Sequence, residues 1–142
     1  MAERLYVGID LGTYQSTIAS SSGSIKTIET VVGRPKDPIA RNLLGRDVLF
    51  GKDALDRRLA CNIYRPMAAG VTQDDEENIA AAKAFVTHLI ETADPEDYDE
   101  VFGVICSPSH VSFTDKSNLV ATLRGQVNAI MVVTEPFATA YG

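Results

Sequence analysis

Apolar residues gather near the N-terminus in a short run over residues 4–10, Arg-Leu-Tyr-Val-Gly-Ile-Asp, which Gly12 stops. A second stretch follows over 14–20, and the Ser-Ser-Ser-Gly sequence at 20–23 turns the chain. Residues 24–32 then alternate apolar and polar side chains with the period of two that a strand shows when one face is buried. Three strands joined by tight turns predict an antiparallel meander. Two prolines and a glycine within 33–38 break the pattern and mark a lobe boundary.

Beyond the break the order is looser. Residues 47–51 predict a short strand, and 53–61 a short helix capped by Asp53. Ile79, Ala82, Val86, Leu89 and Ile90 recur at helical spacing, so residues 72–92 predict an amphipathic helix. Thr72 and Asp75 stand in capping-box-like spacing, and acids crowd its first turn. Residues 101–106 predict an apolar strand, 112–124 a helix stopped at Gly125, and 129–133 a β-branched strand of the sort buried in a parallel sheet. Thr134-Glu135-Pro136 opens a last helix, with proline in the first turn where its missing N–H costs nothing. A meander followed by strand, helix and strand predicts an α/β fold, antiparallel on one side of its sheet and parallel on the other. Residues 1–33 and 72–142 make the larger, discontinuous lobe and 34–71 a small inserted one.

At 142 residues, 45% hydrophobic and 23% charged, the chain has the profile of one folded domain with a small lobe. No apolar run approaches the ~20 residues of a membrane span, so direct membrane insertion is not expected. The N-terminus carries no signal-peptide core, which predicts a cytoplasmic location. A net charge of −6 and the absence of Trp argue against nucleic acid as the partner. Cys61 and Cys106 form no CxxC pattern and read as reduced thiols in or near the core. His88 has only Glu91 at helical spacing and reads as a surface or packing residue, His110 follows Ser107-Pro108-Ser109 without the glycine elbow or third member of a nucleophile site, the acids of 94–100 lack the order of a calcium loop, and no zinc pattern occurs. The charge is uneven: residues 34–65 hold eight basic side chains against four acidic, and residues 71–100 hold ten acids against Lys83 alone. These are either two solvated faces or the complementary halves of a head-to-tail contact, which propagates into a filament if it does not close.

The candidate chemistry lies in two motifs. Gly8-Ile9-Asp10-Leu11-Gly12-Thr13-Tyr14-Gln15-Ser16 reads as strand, glycine bend and strand. With no Cβ at Gly12, backbone N–H groups can approach an anion closely, and Thr13, Gln15 and Ser16 add side-chain donors. Asp10 at the strand end can face a hydrated Mg²⁺. The second motif, Thr134-Glu135-Pro136-Phe137-Ala138-Thr139-Ala140-Tyr141-Gly142, sets a carboxylate where a strand passes into a helix.

Gly8–Thr13 resembles the phosphate-1 motif of the actin, sugar-kinase and seventy-kilodalton heat-shock superfamily. Val31-Val32-Gly33-Arg34-Pro35-Lys36-Asp37, Leu43-Leu44-Gly45-Arg46, Arg65-Pro66 with Gly70-Val71, and Val132–Phe137 with Tyr141-Gly142 are similar to bacterial actin-like ATPases, nearest the magnetosome actins and MreB. The resemblance covers essentially the whole chain. It implies half of an actin-like, ribonuclease-H-like α/β fold, with the larger lobe as subdomain IA and the insertion as subdomain IB. It also implies ATP with Mg²⁺ as cofactors, held by Gly12, Thr13, Tyr14, Gln15 and Ser16 with Asp10 on the metal through water. Glu135 falls where the family's connect-1 segment has the residue that orients the attacking water.

Three departures accompany this. No second Asp-x-Gly-x-Gly-Thr hairpin occurs, and no adenosine motif, so the isolated chain is expected to bind and hydrolyse ATP weakly or not at all. Tyr14 is also bulkier than the small hydroxyl residue common at its position. The implied role is the N-terminal half of a filament-forming ATPase organising magnetosomes or a similar structure. The alternatives are a non-catalytic module that binds or caps actin-like filaments, and a chaperone-type or sugar-kinase nucleotide lobe. Apolar surface on the parallel sheet predicts self-association or docking on a full-length actin-like homologue, with a filament adaptor as a further partner.

Overall fold

A computed structural model of the chain describes residues 1–68, 71–72, 76–107, 117–118, 120–121 and 123–141. The main sheet has five strands: β1 (Arg4–Leu11), β2 (Gln15–Ser20), β3 (Ile25–Glu29), β9 (Glu100–Ser107) and β10 (Ala129–Thr134), in the order β10-β9-β1-β2-β3. β1 pairs antiparallel with β2, and β2 with β3, which is the expected meander. On its other side β1 runs parallel to β9, and β9 to β10. Along β1, Leu5, Val7, Ile9 and Leu11 are buried while Arg4, Tyr6, Gly8 and Asp10 face outward. That strict alternation follows from the two-residue pleat and fixes which face meets the core.

The buried face packs on the 16-residue helix α3 (Glu76–Glu91) through Ala81, Ala82, Phe85, Val86, Leu89 and Ile90. Of the residues expected on this stripe, Ile79 lies outside it, 42% exposed. Thr72 belongs to a short strand rather than to the helix, and Asp75 lies outside the described residues. Lys26 on β3 donates to the Thr92 carbonyl at 2.7 Å, placing a cation at the C-terminal end of α3. Residues 117, 118, 120, 121 and 123 are helical, while the start of the helix expected over 112–124, and His110, lie outside the described residues.

Residues 32–64 build a second unit. β4 (Val32–Pro35) is central to a three-stranded antiparallel sheet, flanked by β5 (Leu49–Phe50) and β6 (Cys61–Tyr64). The strand expected over 24–32 therefore divides at Thr30 and Val31, and the proline-rich break continues as β4. Helix α1 (Pro38–Leu44) starts at Asp37, whose carboxylate accepts from the Ala40 N–H at 2.8 Å, and ends at Gly45 in a left-handed conformation. Helix α2 (Gly51–Asp56) begins at a glycine with φ +59°, where a Cβ would stand 2.6 Å from Ile28 Cγ2. Asp53 does not cap α2; it pairs with Arg46 and Arg57 instead. Val31, Leu49, Ala54 and Cys61 form this unit's own buried cluster. A two-stranded ribbon, β7 (Met67–Ala68) with β8 (Val71–Thr72), leads toward α3. The last helix is α4 (Glu135–Tyr141).

Among the described residues the second face of the main sheet meets a helix only at one end, where α4 and the sheet line a common cavity. Tyr6, Val104 and Met131 are exposed on it, the last to 63%. The expectation of a fully buried β10 fails: Ala129 and Met131 are exposed and its other residues are half-buried.

Candidate phosphate-binding cavity

The second face forms the floor of an open cavity of about 770 Å³, at the end of the sheet where β1, β9 and β10 finish. The register explains its membership. Asp10 lies opposite Thr17 on one side and Cys106 on the other, and Cys106 lies opposite Val133. All four line the cavity, together with Glu135 and Thr139 from the start and middle of α4. Residues far apart in sequence meet because parallel strands β1, β9 and β10 end together, and because α4 begins on the residue after β10. Asp10 and Glu135, the two acidic residues singled out in the sequence, thus share one cavity.

The glycine bend sits beside it, between β1 and β2. A Cβ at Gly12 would lie 2.3 Å from the Gln15 carbonyl oxygen, so the backbone fold-back here admits no side chain. The Tyr14 carbonyl accepts from the Thr30 N–H at 2.8 Å, tying the bend to the end of β3. Gly12 and Thr13 are half-exposed, and Tyr14 and Gln15 are exposed. Ser16 is placed differently. It is 1% exposed, on the α3 side of the sheet, with its hydroxyl 2.7 Å from that of Thr30. The structure does not bring it to the cavity, because in a pleated strand it points opposite to Thr17. Its expected donor role is corrected accordingly: Ser16 braces the bend from within.

Three cavity residues were missed by the sequence reading. Thr17 shares a hydrogen bond with Thr27 at 2.9 Å, and Thr139 donates to the Glu135 carbonyl at 2.9 Å. Cys106 is half-buried, and burial first, then the charges of Asp10 and Glu135, push its thiol above the usual range. Both carboxylates therefore act electrostatically on one point of the floor. The strand period alone could have found Thr17, which faces the same side as Asp10 once the hairpin register is set. Among the described residues no group of three or more His, Cys, Asp or Glu side chains is placed to hold a metal ion. No helix among them is long and apolar enough to cross a membrane.

A glycine bend after the first strand, an antiparallel meander continued by parallel strands, and a helix opening on a carboxylate define an actin-like α/β fold. Along nearly its whole length the chain is similar to MamK actin-like proteins. It is 36% identical over 140 residues to the actin-like protein MamK of Paramagnetospirillum magneticum strain AMB-1, covering 98% of this chain and 40% of that protein. The MamK double helical filament superposes with a TM-score of 0.92 at 35% identity, over 97% of this chain and 43% of the other. A non-polymerising MamK mutant bound to AMPPNP gives 0.90 at 34% identity, over 99% and 44%. MreB5 of Spiroplasma citri bound to AMPPNP, at 16% identity over 97% and 40%, shares the fold with a TM-score of 0.75. The chain spans about 40% of the length of the curated relatives it matches. No family model matches it.

Proposed function

We propose that the chain is the nucleotide-holding N-terminal half of a MamK-like filament ATPase, working in the cytoplasm on filaments that organise magnetosomes or a comparable structure. The observation that carries this reading is the meeting of Asp10 and Glu135 in one open cavity beside a bend that tolerates only glycine. The backbone of residues 12–15 would face the phosphates, Asp10 would hold a hydrated Mg²⁺, and Glu135 would orient a water for attack. Bound ATP with Mg²⁺ supplies the phosphoryl group and the countercharge. Positioning and charge are what this chain's residues contribute, and phosphoryl transfer asks little else of a protein. The partners are further copies of the chain or a full-length actin-like relative, joined head to tail through the basic and acidic surfaces, with a filament adaptor beyond them.

With one glycine hairpin in its 142 residues, the chain grips the phosphates from one side. Titration with Mg²⁺ATP, followed by amide resonances, is expected to shift Gly12–Gln15 and Glu135 at millimolar nucleotide. Gly12→Ala abolishes that response, because its Cβ collides with the Gln15 carbonyl. Nucleotide that leaves the bend unshifted overturns the phosphate assignment, and micromolar affinity overturns the single-grip account.

A further inference from the structure

The two faces of the small sheet differ in character. Gly33 on β4 and Cys61 and Ile63 on β6 turn toward the unit's own cluster, so the pleat sends Arg34, Asn62 and Tyr64 to the other side, toward α3. There a cavity of about 470 Å³ opens between that face, α1 and α3, with Arg41, Asp47 and Ala84 among its walls. The Asp47 carboxylate takes the Arg41 Nε–H at 2.8 Å. Arg34 is half-buried, with its guanidinium over the Tyr64 ring at 5.9 Å from the centroid, yet among the described residues that guanidinium meets no acceptor. Asn62, directly opposite in the register, adds an exposed amide. Stacking on the ring holds the guanidinium plane and leaves its N–H fork for a planar acceptor. Two guanidinium groups against one carboxylate leave the cavity a single surplus positive charge, which matches one carboxylate better than a phosphate dianion.

The complementary group stands at the other end of the chain. After α3 the backbone makes one 3₁₀ turn, Pro95–Asp97, before β9. Asp94, Glu96 and Asp97 are exposed, and among the described residues none of them meets a cation. The turn is anchored on both sides, by buried Ala93 and by Tyr98 packed on the main core, so its acids are presented at little ordering cost. β3 ends beside the glycine bend, where Glu29 lies opposite Gln15, and the small unit follows from there. The acidic turn precedes β9, whose first residue pairs with Arg4 at the start of β1. Cavity and turn therefore lie toward opposite ends of the main sheet, and within one molecule they do not meet. We propose that the cavity is the seat for the acidic turn of a second copy, with the Glu96 carboxylate on the Arg34 guanidinium. Because the two parts sit at opposite ends, the contact is heterologous and repeats along a row of copies instead of closing a pair. This rests on the head-to-tail partner reading above and names its two points of contact.

The test is sedimentation of the full 142-residue chain at low ionic strength without nucleotide, with Arg34→Gln and Glu96→Gln beside wild type. Wild type is expected to grow beyond dimers as concentration rises. Each variant is expected to weaken association about tenfold or more, the loss of one charge-assisted pair, with unchanged circular dichroism. Mixed in equal amounts, the two variants are expected to form a 1:1 dimer and nothing larger, because one intact cavity and one intact turn remain between them. Lys36→Gln, which removes an exposed charge outside the cavity, is expected to weaken association far less. Equal losses at Lys36 and Arg34, association that survives Arg34→Gln or Glu96→Gln, or a mixture that fails to dimerise each overturn the seat while leaving the head-to-tail partner standing. A chain that is monomeric at every concentration overturns both together.

Discussion

Phe50 on β5 lies flat on the His88 imidazole of α3, with ring centroids 4.2 Å apart and planes within 8°. Burial pulls the imidazole below its ordinary value of 6.5, and the nearby Glu91 only partly opposes this. A neutral ring can stack here at little cost, whereas a protonated one must be desolvated against an aromatic and apolar surface. With the native value depressed, the unfolded chain binds more protons between the two values, so stability falls with falling pH in that interval. The stability His88 contributes is full above about 6.5 and is lost as pH drops through the depressed value. Denaturant midpoints of His88→Gln are therefore expected to fall less than wild type between neutral and mildly acidic pH. Equal slopes in the two proteins would show that the stacked ring is not the titrating group.

Helix α3 and strand β1 make the element that holds the cavity in place, because Phe85 and Leu89 fill the space behind Leu5, Val7 and Ile9. Phe85 is fully buried, so Phe85→Ala is expected to cost about 3–5 kcal/mol in equilibrium unfolding. Ile79→Ala, one turn and more away on the exposed side, is expected to stay within about 0.5 kcal/mol. A comparable loss at both positions would mean that the stripe is not the packing face. This contrast also shows why some elements were legible in the sequence and others were not. β1, β9 and β10 were readable as short apolar runs, and most of α3 because a buried face imposes its period on the residues. The Thr72 cap was misjudged because Thr-x-x-Asp spacing occurs in a strand as easily as before a helix. β4 was read as a break because Gly33, Pro35 and Pro38 suggest turns. Gly33 is instead buried against Ala54, and Pro35 ends the strand. Asp10 and Glu135 were legible as acids at strand ends, but their meeting with each other and with Cys106 depends on parallel register, which local sequence does not encode.

For the molecule as a whole, the charge separation seen in the sequence becomes a separation in space. In the small unit Asp47, Asp53 and Asp56 are each taken by a basic neighbour and Asp37 caps α1, so the surplus is positive and is presented by exposed side chains such as Lys36 and Arg58. The acids of 94–100 gather instead where β1 and β9 begin. Arg4 pairs there with Glu100, and Asp99 accepts from the Glu3 N–H, at the end of the sheet remote from Asp10 and Glu135. A head-to-tail contact between these surfaces leaves the cavity open to nucleotide, which a contact across the cavity would not. Exposed charges of this kind act over a screening length of about 10 Å at 0.1 M salt and about 3 Å at 1 M. Co-sedimentation of the chain with filaments of a full-length MamK-type relative is therefore expected to weaken steeply as salt rises through this range. Filament association that ignores salt would remove the charge-based contact.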